Sequence, residues 1–270
     1  MSVRVRFDVS YDGTDFSGWA LQPGRRTVAA ELLAVLERLF GPVEGGLTVA
    51  GRTDAGVHAT GQVCHADLPE ERWTAFAPAL IRKLAGLLPP DVRVLSARAV
   101  PPEFDARFSA LSRRYEYRVT DAVSGAAPLR RRDTLAWPRP LDLDRLNEAA
   151  AGLLGEHDFA AFCRRKEHAS TIRAVTRLDW RRDPDGILVA TVQADAFCWS
   201  MVRSLVGAML VAGDGRRPAS WPATLLTRTV RADEVVVAPA HGLTLAEVTY
   251  PADADTLRAR ADQTRRRRDL

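Results

Sequence analysis

Residues 3–9 read Val-Arg-Val-Arg-Phe-Asp-Val, with Val3, Val5, Phe7 and Val9 on one side and Arg4, Arg6 and Asp8 on the other. Unbroken alternation of this kind is the pattern of a strand with one covered face. A glycine-rich turn, "YDGTDFSGW", follows. Thr27 then caps a helix with Val28, Leu32, Leu36 and Leu39 at helical spacing and Gly41 as its stop. Residues 47–49 and 62–65 read as strands, 73–87 as a helix ending at Pro89-Pro90, and 92–100 as another strand. The second half repeats this grammar. Residues 114–119 alternate as a strand, and Asp142 caps a helix through Leu143, Leu146, Ala150 and Leu153 that ends at Gly155. The turn "DPDG" joins strands at 172–180 and 187–192. Met201, Leu205, Ala208, Met209 and Ala212 form a helical stripe stopped by Gly213, and 243–250 reads as a closing strand. Helices and hairpins therefore mix in both halves. This predicts an α+β fold with a mixed or antiparallel sheet rather than a doubly wound parallel one. The halves read as a diverged duplication dividing near Pro101-Pro102, with domains at 1–104 and 105–252.

A chain of 270 residues holds one large core or two packed units of about 100 to 150 residues. It lacks any run of roughly 18 apolar residues, and its N-terminus lacks the apolar centre of a signal peptide, so a cytoplasmic protein with no membrane span is expected. Cys64, Cys163 and Cys198 form no CxxC pair and are odd in number, which predicts reduced thiols. The net charge is +4. Lys83 and Lys166 are the only lysines, so 38 − 2 = 36 of the basic residues are arginine, a skew that points to genome composition. Residues 253–270 carry six arginines and four aspartates, a net of +2, and read as a solvated, disordered tail. The rest is then also +2. Charge permits an RNA partner without establishing one. Arg4/Arg6 and Arg113/Arg114 read either as the lining of a groove for nucleic acid or as solvated strand faces.

The stretch "AGRTDAGVHATGQV" (residues 50–63) asks for more explanation. Gly51, Gly56 and Gly61 allow positive φ or close approach of a partner. Two readings stand. In one, Asp54 caps an Asx-type turn and Arg52 is solvated, which turn chemistry alone favours. In the other, a loop tip displays Arg52, Thr53 and Asp54 to a ligand. His58, Cys64 and His65 lie close in sequence, but a strand sends Cys64 and His65 to opposite faces, so no metal site is expected.

Read together with other segments, this stretch resembles the signature of the tRNA pseudouridine synthase A family. "YDGTDFSGWALQPGRRTV" (11–28), "FDARFSALSRRYEY" (104–117), "HDFAAFC" (157–163), "FCWSMVRSLVG" (197–207) and "GLTL" (242–245) resemble further blocks of that family, in the same order. The resemblance spans roughly residues 3–251. Cys198 and Trp199, "TVAAEL" after the first block, and Asp105 depart from the family's usual residues.

The resemblance implies a pseudouridine synthase fold: two ferredoxin-like (RRM-like) halves sharing a mainly antiparallel sheet around a central cleft. It implies isomerisation of uridine to pseudouridine in the anticodon stem and loop of tRNA, by a homodimer, with no cofactor and no metal. Asp54 matches the nucleophile, Arg52 the wedge that fills the space of a flipped base, and Tyr115 the aromatic stacked on the flipped uracil. Arg203 matches the arginine paired with the acid, and Leu245 an apolar wall. Alternatives of other kinds are an RNA-binding protein without catalysis and a synthase acting on other uridines.

Overall fold

The computed structural model describes residues 1–164 and 170–266. In chain order its elements are β1 (Ser2–Tyr11), α1 (Val28–Phe40), β2 (Thr48–Val49), β3 (His58–Pro69), α2 (Glu70–Phe76), α3 (Leu80–Leu87), β4 (Val92–Ala99), β5 (Ser112–Thr120), β6 (Leu135–Ala136), α4 (Leu143–Ala151), β7 (Gly155–Asp158), β8 (Ile172–Arg182), β9 (Leu188–Ala194), α5 (Met201–Gly213), α6 (Trp221–Thr224), β10 (Leu243–Thr249) and α7 (Ala254–Arg266), with short 3-10 turns between some of them. The fold is α+β and its strand pairing is mostly antiparallel. β5 pairs with the short β6 in parallel.

The chain divides into two compact units. The division falls at Leu111/Ser112, and the chain returns to the first unit from Leu245 onward, whereas the sequence placed the divide near 101–105.

In the first unit the strands run β4-β1-β3-β10, with β2 on β3. The β1 alternation does what its pattern dictates: Val5, Phe7 and Val9 are fully buried. Thr27 caps α1 by accepting from the Ala30 amide, an interaction worth about 1 kcal/mol, and Gly41 (φ 82°) ends it. Leu32, Leu36 and Phe40 fill the core beneath. Where one helix was expected over 73–87, two form. Pro78, in the 3-10 turn Ala77–Ala79, has no amide hydrogen to carry the helix through. β3 is longer than expected and covered on both sides, so Cys64 and His65 are both buried despite facing opposite ways.

The expected disordered tail is corrected over most of its length. Residues Ala254–Arg266 form α7, with Leu257 and Ala261 buried. The Ser109 hydroxyl donates to Leu257 O, Arg260 Nε to Ala110 O, and Arg258 pairs with Glu103 at 2.6 Å. Two apolar residues four apart suffice to seat a polar helix whose arginines find acids on the surface below. Residues 267–270 lie outside the described part of the chain.

In the second unit the strands run β5-β9-β8-β7, with β6 on β5. Asp142 caps α4 with its carboxylate on the Asp144 and Arg145 amides. The helix ends at Gly152, and Gly155 (φ 106°) instead opens β7. The "DPDG" turn forms as read: the Asp183 carboxylate accepts from the Asp185 and Ile187 amides, and Gly186 takes φ 80°. α4 packs on β8 and on α5, whose Met201, Leu205, Ala208, Met209 and Ala212 are buried. The expectation of three reduced thiols is corrected as well. Cys163 and Cys198 are joined in a disulfide, their Cα atoms 5.7 Å apart, while Cys64 is a buried free thiol. A separation of 35 residues gave no local motif for that pairing. Burial, with Asp8 adding to it, pushes the Cys64 pKa up, so it stays protonated.

Candidate active site

The loop between β2 and β3 is held by the glycine-rich turn after β1. Trp19 N donates to Thr53 O at 3.1 Å, Gly56 N to Phe16 O at 3.3 Å, and Gly13 N to His58 Nδ1 at 3.0 Å. The two backbones touch where side chains are absent. A Cβ on Gly13 would lie 2.0 Å from Val57 O, and one on Gly18 (φ 93°) 2.8 Å from Thr53 O. Inside the clamp, Gln62 Nε2 donates to Gly51 O (2.9 Å) and to the Tyr11 hydroxyl (3.2 Å). That hydroxyl shares a 2.7 Å bond with the Thr53 hydroxyl. The loop closes on itself through Val57 N to Asp54 O at 3.2 Å.

This geometry sorts the loop residues. Thr53 and His58 are buried and structural, Asp54 is half-buried, and Arg52 is exposed at the tip. Gly56 takes φ 77°, and Gly61 lets Ala246 O approach to 2.1 Å of where a Cβ would be. Gly51 shows neither property, since a Cβ there would meet nothing within 4 Å. The three glycines read alike in the sequence because strand-flanking loops do not reveal which of them faces a neighbour. Gly13 and Gly18, which make the clamp, were missed; their signal was only the glycine-rich turn.

The histidines near the loop serve the backbone. His58 Nδ1 accepts from Gly13 N, and His65 Nδ1 accepts from Ala106 N at 3.1 Å. Burial, and then the Arg4 charge, lowers the His65 pKa to about 4. Among the described residues no group of three or more His, Cys, Asp or Glu is arranged to hold a metal ion.

In the second unit Tyr115 lies on β5 opposite Val192, its ring 5.3 Å from Phe197 in an edge-on contact. Its same-face neighbour Tyr117 is fully buried and donates to Pro239 O at 2.7 Å. Burial pushes the Tyr117 phenol well up, and the nearby Arg203 charge pulls it the other way. Of the two tyrosines, then, Tyr117 is committed to packing. A Cβ on Gly242 would sit 2.6 Å from its ring, which accounts for the glycine of "GLTL". Arg203, on α5, is half-buried; its Nε donates to Ala238 O at 2.7 Å, and its own carbonyl accepts from Ala238 N at 3.0 Å. Gly207 lets this segment close in, since a Cβ there would meet Val236 O at 1.8 Å. Just before α5, Ser200 holds φ 66°, a left-handed conformation unusual for a residue with a side chain. Leu245, in the first unit, is fully buried among core residues.

The arginines read as a groove lining or as solvated faces are engaged within their own units. Arg4 forms a two-pronged pair with Asp67, both bonds 2.8 Å, and Arg6 pairs with Asp8 at 2.6 Å. Arg114 pairs with Glu116 at 2.9 Å, and Arg113 donates to Asp195 O at 2.8 Å.

Comparison with known proteins defines the class. A family profile described as tRNA pseudouridine synthase matches residues 149–251. The chain is 59% identical over 263 residues to tRNA pseudouridine synthase A of Frankia casuarinae, covering 97% of this chain and 94% of that protein. It is 58% identical to the Streptomyces griseus protein of that name (99% and 95% covered) and 50% identical to that of Mycobacterium leprae (97% and 94%). These likenesses make it a pseudouridine synthase, an isomerase. More narrowly, the chain belongs to the tRNA pseudouridine synthase A family. No helix among the described residues is long and apolar enough to cross a membrane.

Proposed function

We propose that the protein isomerises uridine to pseudouridine in the anticodon stem and loop of tRNA, acting as a homodimer, with Asp54 as nucleophile. In the reaction the bond from uracil N1 to the sugar breaks, the ring turns, and C5 bonds to the same sugar carbon. C5 gives up a proton and N1 gains one, so the product is an isomer. A carboxylate suits this task because it can attack the sugar carbon or the uracil ring and leave again. The observation that carries the reading is the setting of Asp54. It stands half-buried on a loop clamped by the Gly13 and Gly18 contacts, between a buried threonine and a positive-φ glycine. A surface Asx turn needs no such support.

The other roles follow from what the chemistry demands. A uridine in a stem must flip out to be reached, at a cost of a few kcal/mol. Arg52, exposed two residues before Asp54, has a planar head able to stack in the vacated space and to meet phosphate. Tyr115 stacks on the extruded uracil. Arg203 takes the part that the family resemblance gives it, the arginine that serves the acid's negative charge. Leu245, fully buried on β10, supplies the apolar wall that the resemblance gives it.

The test is direct. Purified protein is incubated with unmodified tRNA transcripts and pseudouridine is mapped by primer extension after carbodiimide labelling. The expected result is conversion confined to anticodon-arm uridines. Binding of tRNA without product would overturn the reading in favour of a non-catalytic RNA binder, and conversion elsewhere would make it a synthase with other targets.

A further inference from the structure

Thr53 is tied from inside the unit by buried groups. Tyr11, Gln62 and Thr53 are all buried, Gln62 completely. Both hydrogens of the Gln62 amide are used, one on Gly51 O and one on the Tyr11 hydroxyl, and its oxygen accepts from Val63 N at 3.1 Å. That last bond fixes which way the amide faces. The Tyr11 hydroxyl then reaches Thr53 Oγ1 at 2.7 Å. The chain of bonds grips the loop immediately before Arg52, at the Gly51 carbonyl, and immediately after it, at the Thr53 side chain. Asp54 is the next residue. A buried network with every member satisfied favours a single geometry over the many that a glycine-rich loop otherwise samples.

From this juxtaposition we infer that Tyr11 and Gln62 are positioning residues for the reaction: they hold Arg52 and Asp54 at one spacing and orientation. The inference rests on the Asp54 reading above. A nucleophile and a wedge that must act on the same nucleotide gain from being held to within about 0.5 Å. Neither residue touches substrate. Their work lies in reducing the number of loop conformations in which Asp54 misses its target.

Tyr11→Phe removes one hydroxyl and keeps the ring beside Trp19, 6.0 Å between centroids. With saturating tRNA, single-turnover tritium release from 5-tritiated uridine is expected to slow by about 10- to 100-fold, while tRNA Kd changes less than twofold. Thr53→Val is expected to show the same split. Thr53→Ser, which keeps the hydroxyl, is expected to recover most of the lost rate. The double variant Tyr11→Phe/Thr53→Val is expected to be no slower than the worse single variant, since both remove the same Tyr11–Thr53 bond. A Tyr11→Phe rate within twofold of the parent overturns the inference, as do losses that multiply in the double variant. Should Tyr11→Phe fold poorly, the Thr53→Val and Thr53→Ser pair decides: equal rates for the two overturn it. Asp54→Asn separates this from the reading beneath it. An inactive Asp54→Asn beside a fully active Tyr11→Phe removes the positioning role alone, and an active Asp54→Asn removes both.

Discussion

Replacing Gly13 by alanine tests whether the turn after β1 governs the loop that carries Asp54. The added Cβ would lie 2.0 Å from Val57 O and 2.5 Å from Val57 C. Separations under 3.0 Å are not tolerated, so the two backbones must part by about 3.0 − 2.0 = 1.0 Å. The obstacle is a peptide group, and no side-chain rotation can relieve it. Val57 N is bonded to Asp54 O, so the displacement reaches the acid. Overpacking of this kind costs about 1–3 kcal/mol of stability. A 1 Å misplacement of a reacting group costs on the order of 100-fold in rate, about 2.7 kcal/mol of barrier. The assay is single-turnover tritium release with saturating tRNA, read beside thermal melting by circular dichroism. The expected variant melts lower, binds tRNA, and turns over about 100-fold more slowly. Gly51→Ala, whose Cβ meets nothing, is expected to melt like the parent. A Gly13→Ala rate within threefold of the parent refutes the clamp, because the loop would then tolerate the shift without harm to Asp54.

Other consequences can be checked separately. Leu257→Ala is expected to lower stability by about 2–4 kcal/mol in urea unfolding, since α7 buries that side chain; a change under about 0.5 kcal/mol would mean the C-terminal segment is not docked. His65 has its pKa lowered to about 4 in the folded chain, against 6.5 ordinarily, first by burial and then by Arg4. The unfolded chain therefore takes up a proton between pH 6.5 and pH 4 that the folded chain refuses. The contribution of His65 to stability is complete above pH 6.5 and falls through that window by about 3 kcal/mol. His65→Phe should flatten this slope, and an unchanged slope would assign it to other groups. Thiol titration of the denatured chain without reductant should find one thiol, Cys64, and three after reduction; three at the outset would contradict the Cys163–Cys198 bond.

Features set by neighbours in the chain were legible in the sequence. The β1 alternation, the caps at Thr27 and Asp142 and the Asp183–Gly186 turn each depend on contacts a few residues long, and each formed as read. Features set at a distance were not. Tyr11 and Gln62 find the loop across 42 and 11 residues, and α7 is seated on Ser109 and Ala110, about 150 residues earlier. With a polar sequence and two buried side chains, α7 had no pattern strong enough to outweigh its arginine run. Pro78 was a readable break that the apolar spacing over 73–87 obscured. Asp54, Arg52, Tyr115 and Arg203 were singled out by the family resemblance, which ordered motifs spanning the chain carry. Periodicity alone places Tyr115 on a strand and Arg203 on a helix, without a role for either. The commitment of Tyr117 to Pro239 and Gly242 became visible only in three dimensions.

One measurement bears most directly on whether a single carboxylate performs the isomerisation. Asp54→Asn and the parent are compared for tritium release and for tRNA Kd in the same buffer. The expected variant binds tRNA within a few-fold of the parent and releases no tritium above background. Turnover near the parent rate would contradict the account, because an uncharged amide in that place has no means of attacking the nucleoside.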